Sequence, residues 1–239
     1  MSVIKGIFMA LFTISDLHLS LGTDKPMDIF SQHWEGHAEK IRRNWMEIVN
    51  INDTIIIPGD ISWATYLDHA IEDFKFLNAL PGRKIISKGN HDYWWETASK
   101  MNRFLQEKHL QNIYFLHNNF YTYDEWAICG TRGWSVYEKA IGEDPEKIFN
   151  REYKRLELSL DQARKKGYIR IIAVLHYPPF KYDKFESGFI DIMRNYGVRM
   201  CLYGHLHGEF SYVRQGIIDG IEYKFVSADY LNFKPQKLI

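Results

Sequence analysis

Thr54-Ile55-Ile56-Ile57-Pro58-Gly59-Asp60 carries the plan of the whole chain. A β-branched run reads as a short buried strand, Pro58-Gly59 ends it, and the turn delivers a carboxylate. Reading outward, the pattern recurs. Ile85-Ile86-Ser87 passes through Gly89 to Asn90, His91 and Asp92, while Phe12-Thr13-Ile14-Ser15 ends in Asp16 and His18. Ile171-Ile172-Ala173-Val174-Leu175 ends in His176, with Pro178-Pro179 forbidding continuation, and Cys201-Leu202-Tyr203 turns at Gly204 into His205 and His207. A lone motif of this size arises by chance in most proteins. The ordered set carries the weight.

Further strands are predicted at 7–15, 84–87, 113–116, 120–123, 126–129, 169–175, 200–203, 210–213 and 222–226. Helical periodicity falls between them at 35–49, 66–78, 94–106, 144–166 and 186–196. In the segment 144–166, Ile148, Phe149, Tyr153, Leu156, Leu160 and Ala163 recur at three- and four-residue steps, and Gly167 follows as a stop. Strands alternating with helices in both halves predict an α/β sandwich, and the strand run at 113–129 an antiparallel portion, so the sheet is expected to be mixed. No repeat or Pro/Gly/Ser-rich linker divides residues 1–239, which read as a single domain.

At 239 residues, 46% of them hydrophobic, the chain can bury a sizeable core. Thirty basic and thirty acidic side chains cancel, so no overall field gathers a polyanion and no stable nucleic-acid partner is expected; no window of about 18 or more uncharged apolar residues occurs, so no membrane partner is expected either. Nothing in the sequence bears on oligomeric state. Cys129 and Cys201 lie in apolar stretches and read as buried free thiols of a reducing, cytoplasmic compartment. The apolar run at 3–14 lacks a small-residue cleavage pattern and leads straight into Asp16, so it reads as a core strand and not a leader.

In open α/β sheets, ligands bind outside the carboxyl ends of strands. Here those ends supply imidazoles, carboxylates and one amide oxygen, a borderline-to-hard donor set suited to manganese, iron or zinc. Glycine precedes Asp60, Asn90 and His205, where a missing Cβ lets the backbone turn and approach closely.

The set D-x-H, G-D, G-N-H-D, H and G-H-x-H resembles the signature of the calcineurin-like metallophosphoesterase superfamily, whose small bacterial phosphohydrolases end the third block in Asp, as Asp92 does. That resemblance covers residues 16–207 and implies a four-layer αββα sandwich of two mixed sheets flanked by helices. It also implies two divalent or trivalent metal ions, manganese first, with iron or zinc as alternatives. One ion would be held by Asp16, His18 and His207, the other by Asn90, His176 and His205, and Asp60 would bridge them. Two cations about 3.5–4 Å apart can clamp the attacking and leaving oxygens of an in-line displacement and lower the pKa of a bound water to about 7. His91, beside Asn90, is placed to protonate the leaving alkoxide or to stabilise phosphoryl oxygens. Arg132, in a Gly-rich turn after a strand, is a candidate contact for substrate phosphate together with Asn90.

The expected activity is phosphoester hydrolysis of a small-molecule substrate, diester favoured over phosphorylated-metabolite monoester. Asp60 is followed by Ile61-Ser62-Trp63, without the Asp and Arg of the protein phosphatase block, which weighs against phosphoprotein substrates. A non-catalytic metal-binding scaffold is the rival from another class. His33, His37, His69, His109 and His117 read as ordinary core or surface residues. His33-Trp34-Glu35-Gly36-His37 has its Glu out of place for a zinc-protease helix. Trp63, Tyr93, Trp94, Trp95 and Trp134 could stack on a flat leaving group, although packing is their commoner use. The segment 23–35 is read as a surface connection that could lie over the site.

Overall fold

A computed structural model of the chain describes residues 9–29, 31–135, 143–180, 185–208 and 210–239. In chain order the elements are β1 (Leu11–Thr13), α1 (His37–Ile48), β2 (Thr54–Pro58), α2 (Ile71–Ala79), β3 (Arg83–Ser87), α3 (Ala98–Glu107), β4 (Ile113–Phe115), β5 (Phe120–Tyr123), β6 (Trp126–Gly130), α4 (Pro145–Lys165), β7 (Arg170–Val174), α5 (Gly188–Asn195), β8 (Met200–Tyr203), β9 (Gly216–Ile218), β10 (Ile221–Phe225) and β11 (Gln236–Lys237). One sheet has the order β11-β1-β2-β3-β4 and the other β5-β6-β7-β8-β10-β9. Both are mixed: β11, β5 and β9 pair antiparallel at edges, and the inner strands run parallel.

The unbroken apolar strands are explained by burial on both faces. Leu11, Ile56 and Ile85 of the first sheet pack against Ile128, Ile172, Val174 and Leu202 of the second. Their neighbours Phe12, Ile55, Ile57 and Ile86 turn the other way, onto Trp45 of α1, Phe74 of α2 and Phe104 of α3. Across the molecule, Ala127, Ile171, Ala173 and Cys201 meet Leu156 and Leu160 of α4 and Phe189 and Met193 of α5. The result is the four-layer αββα sandwich. Asp144 caps α4 by accepting a hydrogen bond from the Glu146 N–H at 3.0 Å, and Pro145 occupies its first turn.

Several expectations are corrected. Residues 210–213 form a turn, closed by a bond from the Val213 N–H to the Phe210 carbonyl, and pair with no strand. The edge strand instead comes later, at β9, whose Ile217 is exposed and whose alternation is broken by Gly216. β11 is polar and follows Pro235, so neither period nor propensity announces it. The first strand is shorter than 7–15: it spans β1, Ser15 makes an isolated bridge to Ser227, and residues 7 and 8 lie outside the described residues. The helix expected from residue 94 begins at Ala98, because Trp94 is tied to Asp92 and Thr97 serves as the cap. Residues 67–70 form a 3-10 turn before α2.

The topology brings the five motif-bearing strand ends to one edge. Past the formal strand ends the backbone ladder continues: Asp16 N–H donates to Gly59 O, and His18 N–H to Asp60 O, both at 3.0 Å. Ser15 then crosses to the second sheet, donating to Val226 O at 2.7 Å while accepting from Ala228 N–H at 2.9 Å. The two sheets are stitched together where the polar side chains converge.

Candidate metal centre

Four of these polar residues, Asp16, His18, Asp60 and His205, have φ of 57°, 45°, 51° and 75°, the left-handed region disfavoured for side-chain-bearing residues. Strain of this kind persists only where surrounding structure over-determines it, and it clusters at functional sites. The neighbouring glycines serve close approach. A Cβ on Gly89 would lie 2.0 Å from Asp60 Oδ1, and one on Gly204 would lie 2.1 Å from Asp16 Oδ2. Neither glycine has positive φ. The expectation that glycine permits the turn holds at Gly59, whose φ is 85°, whereas Gly89 and Gly204 leave room for the carboxylates of Asp60 and Asp16.

Two groups of donors result. In the first, Asp16, His18, Asp60 and His207 each place a ligand atom within 4.8 Å of the others. His18 Nε2 is 3.0 Å from His207 Nε2, and His207 Nε2 is 3.3 Å from Asp16 Oδ1. In the second, Asn90 Oδ1 lies 2.6 Å from His176 Nε2 and 2.9 Å from His205 Nδ1. Asp60 Oδ2 stands between the groups, 3.6 Å from His18 Nε2 and 3.4 Å from His176 Nε2. It is buried and has no hydrogen-bond partner among the described residues. Its other oxygen, Oδ1, accepts the His91 N–H at 2.8 Å.

The electrostatics of the donor set favour a cation. Burial raises Asp60 well above the usual carboxylate range, reinforced by the charges of Asp92 and Asp16. Burial holds His18 well below its usual value and His176 down to about 3, so both imidazoles are neutral and can offer lone pairs. For Asp16, burial acts upward, yet His207, His176 and His18 keep it far below its ordinary value. His207 is raised to about 10 against its burial by Asp16 and Asp229. A buried carboxylate oxygen without a donor, facing neutral imidazoles, fits divalent cations better than protons.

Supporting groups fix the rings. His176 Nδ1 is 3.0 Å from the Pro58 carbonyl, so Nε2 faces the cluster. His207 Nδ1 lies 3.3 Å from Asp229 Oδ1 and 3.2 Å from Ser227 Oγ, and Asp229 Oδ2 accepts the Gly208 N–H at 3.1 Å. The Asp229 carboxylate and the His207 ring are therefore set as one unit. Asp229 and Ser227 escape a motif search although they follow β10 just as Asp16 follows β1; the strand-end rule itself would have found them. Asp229→Asn is expected to weaken metal binding about 10–100-fold while the melting temperature of the metal-free protein barely changes. Metal titration by calorimetry checks it, and an unchanged affinity would remove Asp229 from this role.

Aromatic rings wall the centre. Trp63 stacks on His18 at 5.0 Å and lies 4.4 Å from the His91 ring. Trp34, from the segment 23–35, meets His18 and His207 edge-on at 5.7 and 5.5 Å, and Met27 Sδ accepts the Trp63 indole N–H. That segment lies against the site and is more than a surface connection. His37 is buried with a ring nitrogen 3.2 Å from the His18 carbonyl, while His33 Nε2 is 3.1 Å from the Asp229 carbonyl, so both histidines support the site without joining it. Trp94 and Trp95 pack in the core; Tyr93 is exposed beside His91. Burial, followed by the charges of His205 and His207, lowers His91 to about 4. Arg132 turns its guanidinium to Glu152 at 3.8 Å and over Trp134 at 4.9 Å.

The calcineurin-like phosphoesterase family model matches residues 9–209. The chain belongs to that family. Family membership and the Asp/His cluster together make it a metal-dependent phosphoesterase, hence a hydrolase. No curated protein matches the chain. Among solved structures, this calcineurin-like phosphoesterase is similar to phosphopantetheinyl hydrolase from Mycobacterium tuberculosis, with 15% identity over 96% of this chain and 95% of that one and a TM-score of 0.54. The protein TT1561 of Thermus thermophilus is similar with 11% identity over 96% and 98% of the two chains and a TM-score of 0.59. At such identities the likeness establishes the fold alone. Among the described residues, no helix is long and apolar enough to cross a membrane.

Proposed function

We propose that the protein is a dinuclear phosphodiesterase acting on small-molecule phosphoesters in the cytoplasm, with residues 1–239 as one catalytic domain. The observation that carries the dinuclear reading is the buried, unpartnered Asp60 Oδ2 between two donor groups. Asp16, His18 and His207 would hold one ion, Asn90, His176 and His205 the other, and Asp60 both. Manganese is the first choice, with iron or zinc as alternatives. Bound there, the pair of ions supplies Lewis-acid polarisation of a phosphoryl oxygen and makes hydroxide available near neutral pH.

The chain's own groups then orient and transfer protons. His91 is fixed through its N–H on Asp60 and packed on Trp63, with Nδ1 buried and lacking a partner among the described residues. As a neutral ring it donates one hydrogen bond to a phosphoryl or departing oxygen, and in its protonated form it would transfer a proton to the departing oxygen. His91→Ala is expected to cost roughly 10²-fold or more for an alkoxide leaving group and much less for p-nitrophenolate. Equal losses on both substrates would make His91 an electrostatic support and not an acid.

Diester preference is supported by Asp92 and by the walls that Trp63 and Trp34 raise beside His18, which give a second ester substituent apolar surface. Two buried free thiols, raised by burial, suit a reducing compartment. The test is manganese-dependent hydrolysis of bis(p-nitrophenyl) phosphate beside p-nitrophenyl phosphate, with metal content measured on the same sample. Two metals and faster diester cleavage are expected. Faster monoester cleavage would reverse the preference, and a metal-free protein indifferent to chelator would mark a scaffold.

A further inference from the structure

We infer that a basic groove beside the metal centre binds a second phosphate group of the substrate, remote from the one that is attacked. The inference rests on the phosphoesterase reading above and names the substrate class. The metal-ligand loops follow β3 in one sheet and β7 in the other. One strand outward, β4 and β6 end beside each other, and the pocket between them is lined by Lys88, His117, Asn118, Arg132 and Arg155 around Glu152. Arg132 joins this pocket to the centre, because its carbonyl accepts the N–H groups of His176 and Tyr177 at 2.9 and 3.0 Å.

Charge in this pocket is out of balance. Glu152 is buried and accepts the Thr131 hydroxyl at 2.6 Å, and it faces Arg155 at 2.8 Å, Arg151 at 3.7 Å and Arg132 at 3.8 Å. Lys88, half-buried next to Gly89, has no ion pair of its own among the described residues. Asn118 and Arg155 also line a second, more open groove along α4, of about 480 Å³, together with Lys147, Asn150, Arg151 and Lys154. Apart from Glu152, the acid paired there is Glu143, on Arg151. Among the described residues, the ion-paired carboxylates facing Arg132, Arg151 and Arg155 are Glu152 and Glu143, Asp92 and Glu152 act on Lys88, and Lys147 and Lys154 have no ion pair, in a chain whose formal net charge is zero. Arg132 Nε is buried without an acceptor among the described residues. Planar guanidinium forks and mobile ammonium groups around one opening are the chemistry that recognises phosphate. The scissile phosphate has the metal centre for its charge. A groove this basic, one strand farther along the same edge, suits another.

The experiment compares kcat/KM for thymidine 5′-(p-nitrophenyl phosphate) with and without a 3′-phosphate, and for a propanediol p-nitrophenyl phosphodiester with and without a terminal phosphate. The second phosphate is expected to raise kcat/KM by about tenfold or more, with the gain shrinking in salt. A gain in both pairs means that phosphate alone is read; a gain in the thymidine pair alone means that a nucleotide is. Lys147→Glu/Lys154→Glu with Lys88→Gln should erase the gain and leave bis(p-nitrophenyl) phosphate turnover unchanged. Equal rates with and without the second phosphate, or equal slowing of every substrate in the variant, would overturn the inference. Calorimetric binding of thymidine 3′,5′-bisphosphate against thymidine 5′-monophosphate needs no turnover. A preference for the bisphosphate in a protein that hydrolyses nothing would keep the groove and reject the hydrolase reading; no preference would reject the groove.

Discussion

Asp60→Asn is expected to move stability in opposite directions with and without metal. In the metal-free protein the substitution removes a buried carboxylate whose charge is disfavoured by burial and by Asp92 and Asp16, so the melting temperature should hold or rise. The backbone bond to His91 survives, since the amide oxygen can still accept it. With metal present the sign reverses. A neutral amide offers one ligand oxygen and no charge, so it cannot hold two cations together, and the metal-induced rise in melting temperature should shrink. Turnover should fall by at least about 10²–10³-fold, the scale for losing a preorganised electrostatic contact. Calorimetric melting with and without manganese, metal analysis and diester hydrolysis check this. Two retained metals with full turnover would sink the bridging role.

Asp92→Ala is expected to be the most destabilising single change around the site. The Asp92 carboxylate accepts N–H groups from Gly89 at 2.7 Å, Asp60 at 2.9 Å, Ile61 at 2.8 Å and Ser62 at 3.3 Å, and the Trp94 indole N–H at 3.0 Å. It clamps the turn carrying Asp60 to the turn carrying Asn90 and His91. Removing it leaves several buried donors unpaired, each costing about 1–3 kcal/mol and not fully additive. A loss of about 3–5 kcal/mol follows, in the exceptional range for one substitution, or roughly 10 °C in melting temperature for a chain of this size. Asp92→Asn keeps acceptor oxygen on one side and should fall between. Denaturant unfolding measures it; a loss below about 1 kcal/mol would mean that water or a shifted loop satisfies these donors.

Asp92 also shows where reading the sequence stops short. As a letter after His91 it serves only to sort relatives. In three dimensions it reaches back across 32 residues to the Asp60 turn, and propensity carries no trace of that. Asp229 is similar: nothing local marks it as the partner of His207, because the two meet only once β10 lies beside β8. The donor residues, in contrast, were legible, since each follows an apolar run whose length and β-branching fix a strand and whose Gly or Pro fixes its end. Arg132 was legible as a candidate, but its direction was not, because Glu152 on α4 and Trp134 decide it.

Local pattern by itself determined the α/β alternation, five polar strand ends and the metal-binding character of the donor set, because these depend on periodicity and on side-chain chemistry within a few residues. The tertiary structure alone decided that Asp60 stands between two donor groups, that Trp34 and Trp63 wall the centre, that the 210–213 stretch turns, and that Arg155 of α4 meets Lys88 and Arg132 in one pocket. Those facts depend on which strands become neighbours and on where burial leaves charge uncompensated, and contacts between residues far apart in the chain settle both.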